Sequence, residues 1–180
     1  MNYNPKHHHR KTIRLKEYDY SQPNWYYVTI CAHKKESLFG SIHNGKMQLN
    51  KFGEMTKQEW LKTKIIRPNI DLDDFVIMPN HLHGIIIIEY KINSCRGESQ
   101  YAPTDKKLKS PSQSLGAIIR GFKSSVTKQI NVSRNALGKP VWQRNYYKHK
   151  IRNETDLFRI RHYIKNNPLE WELELDELYS

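Results

Sequence analysis

The feature that most constrains this fold is the run FVIMPNHLHGIIII, from Phe75 to Ile88. Apolar and β-branched segments flank Pro79 and Asn80, so the run predicts two strands, at about residues 70–78 and 82–90, joined by a turn. Successive strand residues point to opposite faces, and four consecutive isoleucines therefore make both faces of the second strand apolar. We expect the sheet to be covered on both sides.

The spacing of apolar residues elsewhere predicts three helices and two further strands. In chain order these are a strand at 25–32, a loop with a tight turn at Asn44–Gly45, a helix from Asn50 to Pro68, the two strands above, a helix at 114–130, a strand at 141–151, and a helix from Asn153 to Pro168. This order is compatible with an α+β fold, a ferredoxin-like split βαβ sandwich with an antiparallel sheet of about four strands.

The length of 180 residues is most simply one domain. It would carry a basic arm at 1–22, a flexible insert at about 91–113 and an acidic tail at 170–180. A net charge of +12 favours a polyanionic partner, most simply nucleic acid. Cys31 and Cys95 form no metal-binding pair, which favours a reducing, cytoplasmic location, and no apolar run is long enough to span a membrane.

His81 and His83 are two residues apart on a predicted strand, so their side chains lie on the same face. They either belong to a polar turn or share one metal ion. The lack of cysteine ligands argues against structural zinc, whereas imidazole combined with oxygen ligands suits Mg²⁺ or Mn²⁺ acting on a phosphate. Gly84, beside the pair, indicates a place where another group approaches closely.

The last predicted helix offers a third ligand. Tyr163 and Asn167 are four residues apart and share one helix face, at the edge of the apolar stripe. Alternatively, Tyr163 is a packing residue and Asn167 ends the helix before Pro168.

The segments RKTIRLKEYDYSQPNWYYVTICAHKKESLFG, MPNHLH and VWQRNYYKHKIRNETDLFRIRHYI, followed by YIKNNP, resemble the REP-associated tyrosine transposases, a family of single-tyrosine HUH nucleases. The resemblance covers about residues 5–171. It implies a ferredoxin-like sheet, with His81 and His83 as the two metal-binding histidines and Tyr163 as the nucleophile. Asn167 stands at the position of the third, amide-type ligand, where some relatives carry glutamine.

The resemblance further implies cleavage of single-stranded DNA through a 5′-phosphotyrosine intermediate, with Mg²⁺ or Mn²⁺ as cofactor and a hairpin-forming repetitive element as substrate. It is compatible with a monomer or a homodimer. A non-cleaving binder of structured single-stranded DNA remains the alternative. An RNA-recognition module is less favoured because no aromatic-rich RNA-binding strand is present.

Charge and aromatic character predict a set of DNA contacts. These residues are Arg120, Lys123, Trp142, Arg144, Tyr146, Tyr147 and Arg152. Each has an alternative interpretation as a surface charge or a core aromatic residue. Tyr146 and Tyr147 are also rival nucleophiles.

Overall fold

The computed structural model describes residues 22–89 and 114–179, with side chains as far as Glu174. The predicted insert at 91–113 lies outside these residues, as does the predicted basic arm apart from its last residue. The described strands are β1 (Asn24–Cys31), β2 (Gly40–His43), β3 (Lys46–Leu49), β4 (Ile70–Met78), β5 (His81–Ile88) and β6 (Tyr147–Lys150). The described helices are α1 (Lys51–Ile66), α2 (Leu115–Ser133) and α3 (Glu154–Tyr179), and none of them could cross a membrane.

Four strands form an antiparallel sheet in the order β4-β5-β1-β6. Strand β5 lies between β1 and β4 and runs antiparallel to both, so β1 and β4 point the same way and α1 connects them. This is the split βαβ arrangement of a ferredoxin-like sandwich, and the predicted fold class is confirmed.

The sheet is covered on both faces, as the isoleucine run predicts. Ile86 and Ile88 of β5 lie in a core with the apolar sides of α1 and α2. Ile85 points the other way, into a smaller core that contains Ile164 of α3. The histidines of β5 have the same parity as Ile85, so they lie on the face that α3 covers.

The segment predicted as a loop around Asn44–Gly45 instead forms a hairpin, with β2 paired to β3. Both turn residues have positive φ, 52° at Asn44 and 67° at Gly45, which is the conformation that closes a two-residue hairpin. The tight turn was therefore predicted, and the short strands on either side were not.

The helix predicted to stop at Pro168 continues through it to Tyr179, so that prediction was wrong. A proline inside a helix typically costs about 3 kcal/mol. Contacts beyond it offset this cost: the Leu169 side chain lies over Gly45, and the Glu172 carboxylate accepts a hydrogen bond from the Gly45 N–H. Tertiary packing against the β2–β3 hairpin thus extends α3.

The strand predicted at 141–151 is shorter, because only Tyr147–Lys150 pairs continuously with β1. Trp142 makes one isolated bridge, to Ala32. Between them, the Lys123 ammonium donates to the carbonyl oxygens of Gln143 and Asn145, both at 2.9 Å. Those carbonyls point at a side chain of α2 rather than at a neighbouring strand.

Gly84 is required by packing. A β-carbon there would lie 2.5 Å from Trp60 Cζ2 and 3.2 Å from Phe75 Cβ, in the core on the face opposite the histidines. The close approach that the sequence indicates is therefore made by the buried Trp60.

We expect Gly84→Ala to lower the free energy of unfolding by about 1–3 kcal/mol through overpacking. The matched control is Gly116→Ala on α2, where the nearest atoms are 3.9 Å or more from the new carbon. That change should stabilise the protein by about 0.4–1 kcal/mol. Urea unfolding of both variants measures the difference, and equal effects would contradict the assignment of Gly84 to a packing role.

Candidate active site

The centre of the candidate site is the histidine pair at the start of β5. The Nε2 atoms of His81 and His83 are 2.8 Å apart, and the ring centroids are 4.4 Å apart. His83 is 4% exposed, while His81 is partly exposed. The two rings thus converge through the same nitrogen, with one edge open to solvent.

The Nδ1 atom of each ring, on the side away from the other histidine, lies within hydrogen-bonding distance of a further group. His81 Nδ1 lies 2.7 Å from Asn80 Oδ1. His83 Nδ1 lies 2.7 Å from the Tyr27 hydroxyl and 2.9 Å from Thr29 Oγ1, both on the neighbouring strand β1. Groups that contact the outer nitrogen of a histidine in this way fix the direction of the inner one.

Helix α3 brings Tyr163 and Asn167 to the pair. The Tyr163 ring centroid is 5.2 Å from that of His83, and this side chain is 42% exposed. Asn167 is buried and hydrogen-bonds to His81. The structure therefore brings together the four residues at 81, 83, 163 and 167 that the sequence singles out.

Two acidic residues of β4 dock this helix. A bulge between Leu72 and Phe75 interrupts the β4–β5 pairing. Within it, Asp73 accepts hydrogen bonds from Arg161 at 2.6 and 3.0 Å, and Asp74 lies 3.6 Å from the Lys165 ammonium. These contacts lie on either side of Tyr163 along α3.

Two further aromatic residues border the site. Tyr147 is 47% exposed, lies opposite Thr29 in the pairing of β6 with β1, and packs edge-on against the Tyr27 ring at 6.2 Å. Trp171, which the sequence interpretation missed, lies with its ring 5.6 Å from that of His81. Trp171 is four residues after Asn167, which places it on the same helix face. The sequence interpretation missed this because it assumed that the helix ends at Pro168.

Comparison with known proteins gives a close relative but no family model. No protein-family model matches the chain. A protein of Haemophilus influenzae, described as uncharacterized, is 47% identical over 98% of this chain and 97% of its own length. The chain belongs to the same family as that protein.

The fold also has a solved counterpart. The structure of a REP-associated tyrosine transposase bound to a REP hairpin is matched over 88% of this chain and 74% of that chain, with a TM-score of 0.58 and 19% sequence identity. At this identity the likeness establishes a shared fold. The fold implied by the sequence resemblance is thereby confirmed for this chain.

The other residues predicted to contact DNA lie in different parts of the fold. Arg120 and Lys123 lie on α2, which covers the sheet face opposite the histidines. Trp142 is 8% exposed and packs against Phe39 and Phe122, so its indole ring is part of the core.

Three of the remaining residues are exposed, and one is partly buried. Arg144 and Arg152 are exposed, as is Tyr147 beside the site. Tyr146 packs partly buried against the α1–α2 core, with the Lys123 ammonium 5.7 Å from its ring centroid. Of the two rival tyrosines, only Tyr147 thus borders the site.

The electrostatics of the pair favour neutral imidazoles. Burial lowers the pKa of His81 to about 4, assisted by the charge of Lys35 and opposed by the hydrogen bond with Asn167. Burial, together with the proximity of His81, lowers the pKa of His83 to about 3. Burial also raises the pKa of Tyr27 well above its usual range, so its hydroxyl keeps its hydrogen at neutral pH. Neutral imidazole is the form that binds metals.

The residues present fit a divalent ion. Two ligands at about 2.1 Å from one ion, in perpendicular directions, are about 3 Å apart, close to the separation of the two Nε2 atoms. Within the described ranges no three His, Cys, Asp or Glu side chains are grouped to hold an ion. Asn167 hydrogen-bonds to His81, so its carbonyl oxygen could add a third ligand, and such a nitrogen and oxygen donor set suits Mn²⁺ or Mg²⁺.

The lowered pKa values predict how stability depends on pH in the metal-free protein. An unfolded histidine has a pKa of about 6.5, so between pH 6.5 and about 4 the unfolded chain binds protons that the folded pair does not. The free energy of unfolding should therefore fall as the pH falls through this window, by up to about 1.4 kcal/mol per pH unit for each histidine.

Urea unfolding in EDTA at several pH values checks this expectation. The double variant His81→Asn/His83→Asn is the control, because it keeps every other titrating group. Its stability should vary less with pH than that of the wild type, and parallel profiles would contradict the prediction.

Proposed function

We propose that this protein is a metal-dependent single-strand DNA endonuclease and strand transferase that acts through Tyr163. The observation that carries the proposal is the convergence of four side chains from β5 and α3. An exposed phenol lies beside two neutral imidazoles whose Nε2 atoms face each other, with a buried amide bonded to one of them. A pair of neutral imidazoles with an amide oxygen is a ligand set for a phosphate-activating ion.

The reaction we propose is a transesterification. The Tyr163 phenol oxygen attacks the scissile phosphorus and loses its proton. The bond from phosphorus to the 3′ oxygen breaks, and that oxygen leaves as a free 3′-OH. The product is a 5′-phosphotyrosine ester, which keeps the bond energy available for rejoining. A bound Mg²⁺ or Mn²⁺ would polarise the phosphate, as a phenol with a free pKa near 10 requires.

Each residue of the chain has a separate task in this scheme. His81, His83 and Asn167 would hold the ion, and Tyr163 would be directed at the phosphate by the docking of α3. Because Arg161 and Lys165 contact Asp73 and Asp74 of the same chain, one chain supplies every group. The scheme therefore works in a monomer and does not exclude a homodimer.

The proposed substrate is single-stranded or hairpin DNA. The net charge of +12 favours a polyanion, and the exposed Tyr147 ring beside the site is suited to stacking on an unpaired base. Among the predicted contacts we retain Arg144, Arg152 and Tyr147, which are exposed, and not Arg120, which is exposed but lies on α2, across the sheet from the histidines. The matched solved structure is bound to a REP hairpin, which makes DNA hairpins the first substrates to test.

The covalent intermediate is the most direct test. Incubation with Mn²⁺ and candidate hairpin DNA should give a protein–DNA adduct on a denaturing gel. Tyr163→Phe should abolish the adduct because the phenol oxygen is lost. Tyr147→Phe is the matched control, since it removes a comparably exposed phenol beside the same site, and the adduct should persist.

The possible results of this experiment distinguish the two candidate nucleophiles and the two candidate functions. An adduct that survives in Tyr163→Phe but disappears in Tyr147→Phe would transfer the nucleophile to β6. Binding without an adduct for every hairpin tested would favour the alternative function, a non-cleaving binder of structured single-stranded DNA.

A second prediction separates cleavage from binding. His81→Ala should reduce cleavage by at least about 100-fold, as expected when charge stabilisation of the reacting phosphate is removed. The Kd for the hairpin, measured by gel shift, should change less than about threefold, because phosphate and stacking contacts lie outside the pair. Parallel loss of binding and cleavage would instead assign the histidine pair a structural role.

A further inference from the structure

Trp171 lies beside the histidine pair and has no task in the proposed reaction. Its ring centroid is 5.6 Å from that of His81, and the two ring planes are inclined by 47°. Trp171 is partly exposed, whereas Trp60 and Trp142 are buried in the core. The indole ring therefore borders His81 with part of its surface open to solvent.

Lys35 lies near the same histidine. Burial is the first cause of the lowered pKa of His81 and the charge of Lys35 is the second, so the ammonium is close to that ring. Lys34 and Lys35 both have positive φ, 54° and 56°, a conformation that residues other than glycine seldom adopt. Asn80 Nδ2 holds this turn by donating to the Lys35 carbonyl oxygen at 3.2 Å. The turn thus keeps an exposed cation beside His81.

Tyr163 lies at the other end of the pair. Its ring centroid is 5.2 Å from that of His83, the more deeply buried of the two histidines. Along α3, Trp171 follows Tyr163 by eight residues, which corresponds to about 12 Å along the helix axis. The phenol therefore borders the His83 end of the pair, and the indole borders the His81 end.

This arrangement gives the proposed transesterification a direction. In phosphoryl transfer the attacking and leaving oxygens lie roughly in line through the phosphorus. When the Tyr163 oxygen attacks from the His83 end, the 3′ oxygen leaves towards the His81 end. The nucleotide that carries this oxygen, on the 5′ side of the scissile phosphate, then lies next to Trp171 and Lys35. Aromatic rings stack on unpaired bases, and ammonium groups bind backbone phosphates.

We propose that Trp171 and Lys35 form a subsite for the nucleotide on the 5′ side of the scissile phosphate, with the indole stacked on its base and the ammonium on its 5′ phosphate. The proposal rests on the proposed function, because the polarity follows from attack by Tyr163.

The subsite has its main effect after cleavage, when it keeps the released strand in place. In rejoining, the 3′-OH attacks the phosphorus of the phosphotyrosine ester and loses its proton. The bond from phosphorus to the phenol oxygen breaks, and the phenol regains a proton. A strand held at Trp171 and Lys35 has its 3′-OH next to that phosphorus, so rejoining is faster than it would be for a strand that has diffused away.

Tryptophan fluorescence tests the stacking contact without metal or cleavage. Single-stranded oligothymidine added to the protein in EDTA should quench the emission of Trp171, because a base stacked on an indole ring quenches its fluorescence. Trp171→Phe should lose this quenching. Trp25→Phe is the matched control and should keep it, since Trp25 is also partly exposed but packs with the apolar cluster around Ile164. Equal quenching in Trp171→Phe and the wild type would overturn the stacking contact.

The salt dependence of oligothymidine binding tests the phosphate contact. Lys35→Gln should reduce the slope of log Kd against log salt concentration by about 0.7, the value for one phosphate contact to a single strand. Lys57→Gln is the control, because it removes the same charge from an exposed position of α1, which covers the opposite sheet face. Equal slopes for the two variants would overturn the phosphate contact.

Abasic substitution tests the polarity, on a hairpin whose cleaved phosphate has been located from the adduct. An abasic nucleotide on the 5′ side of that phosphate should slow rejoining by the wild type by about 5–100-fold, as expected for the loss of one stacked base. In Trp171→Ala, which should rejoin slowly already, the same abasic nucleotide should have little further effect. An abasic nucleotide on the 3′ side is the control and should affect both proteins equally. Independent, additive effects on the 5′ side would overturn the assignment.

Failure of the subsite and failure of the proposed function give different results. Quenching that depends on Trp171, without an adduct on any hairpin, contradicts the nuclease and the polarity, while the stacking contact stands. An adduct that requires Tyr163, with rejoining unaltered in Trp171→Ala and quenching unaltered in Trp171→Phe, contradicts the subsite and leaves the proposed function intact.

Discussion

The packing of α3 on the second face of the sheet is the interaction on which the candidate site depends. Ile164 is buried in a core with Tyr27, Ile85 and Ile151. Since Ile164 directly follows Tyr163, its burial fixes the rotation of the helix. With this rotation, Tyr163 and Asn167, which share one helix face, lie beside the histidines at the start of β5. The ion pair of Arg161 with Asp73 holds the same rotation from the β4 side.

Those parts of the site that depend on local geometry could be predicted from the sequence. Strand alternation places His81 beside His83, and helical spacing places Tyr163 beside Asn167. The contact between the two pairs could not be derived from spacing, because it depends on how α3 packs across the sheet, including the contacts of Arg161 and Lys165 with Asp73 and Asp74 of β4. Pro168 was misinterpreted for a similar reason: its local cost is outweighed by contacts made with a distant hairpin.

The basic and aromatic residues illustrate how composition overstates a binding surface. Lys123 is used internally, where it holds two backbone carbonyls, and Trp142 fills the core between Phe39 and Phe122. Composition counts Lys123 as a positive charge and Trp142 as an aromatic residue whether they lie inside the protein or on a binding surface. Only the pairing of Trp142 with Ala32 and the burial of its ring distinguish a packing residue from a stacking surface.

The turn at Gly45 sets a limit on the geometry of the whole site. A β-carbon at Gly45 would come within 3.1 Å of Leu169 Cδ1, so Leu169 of α3 rests on the bare backbone of the turn. Backbone cannot change rotamer to absorb a displacement, as a side chain can. The hairpin therefore acts as a fixed stop for the helix. Any change of length in this turn would tilt α3 and move Trp171 relative to His81.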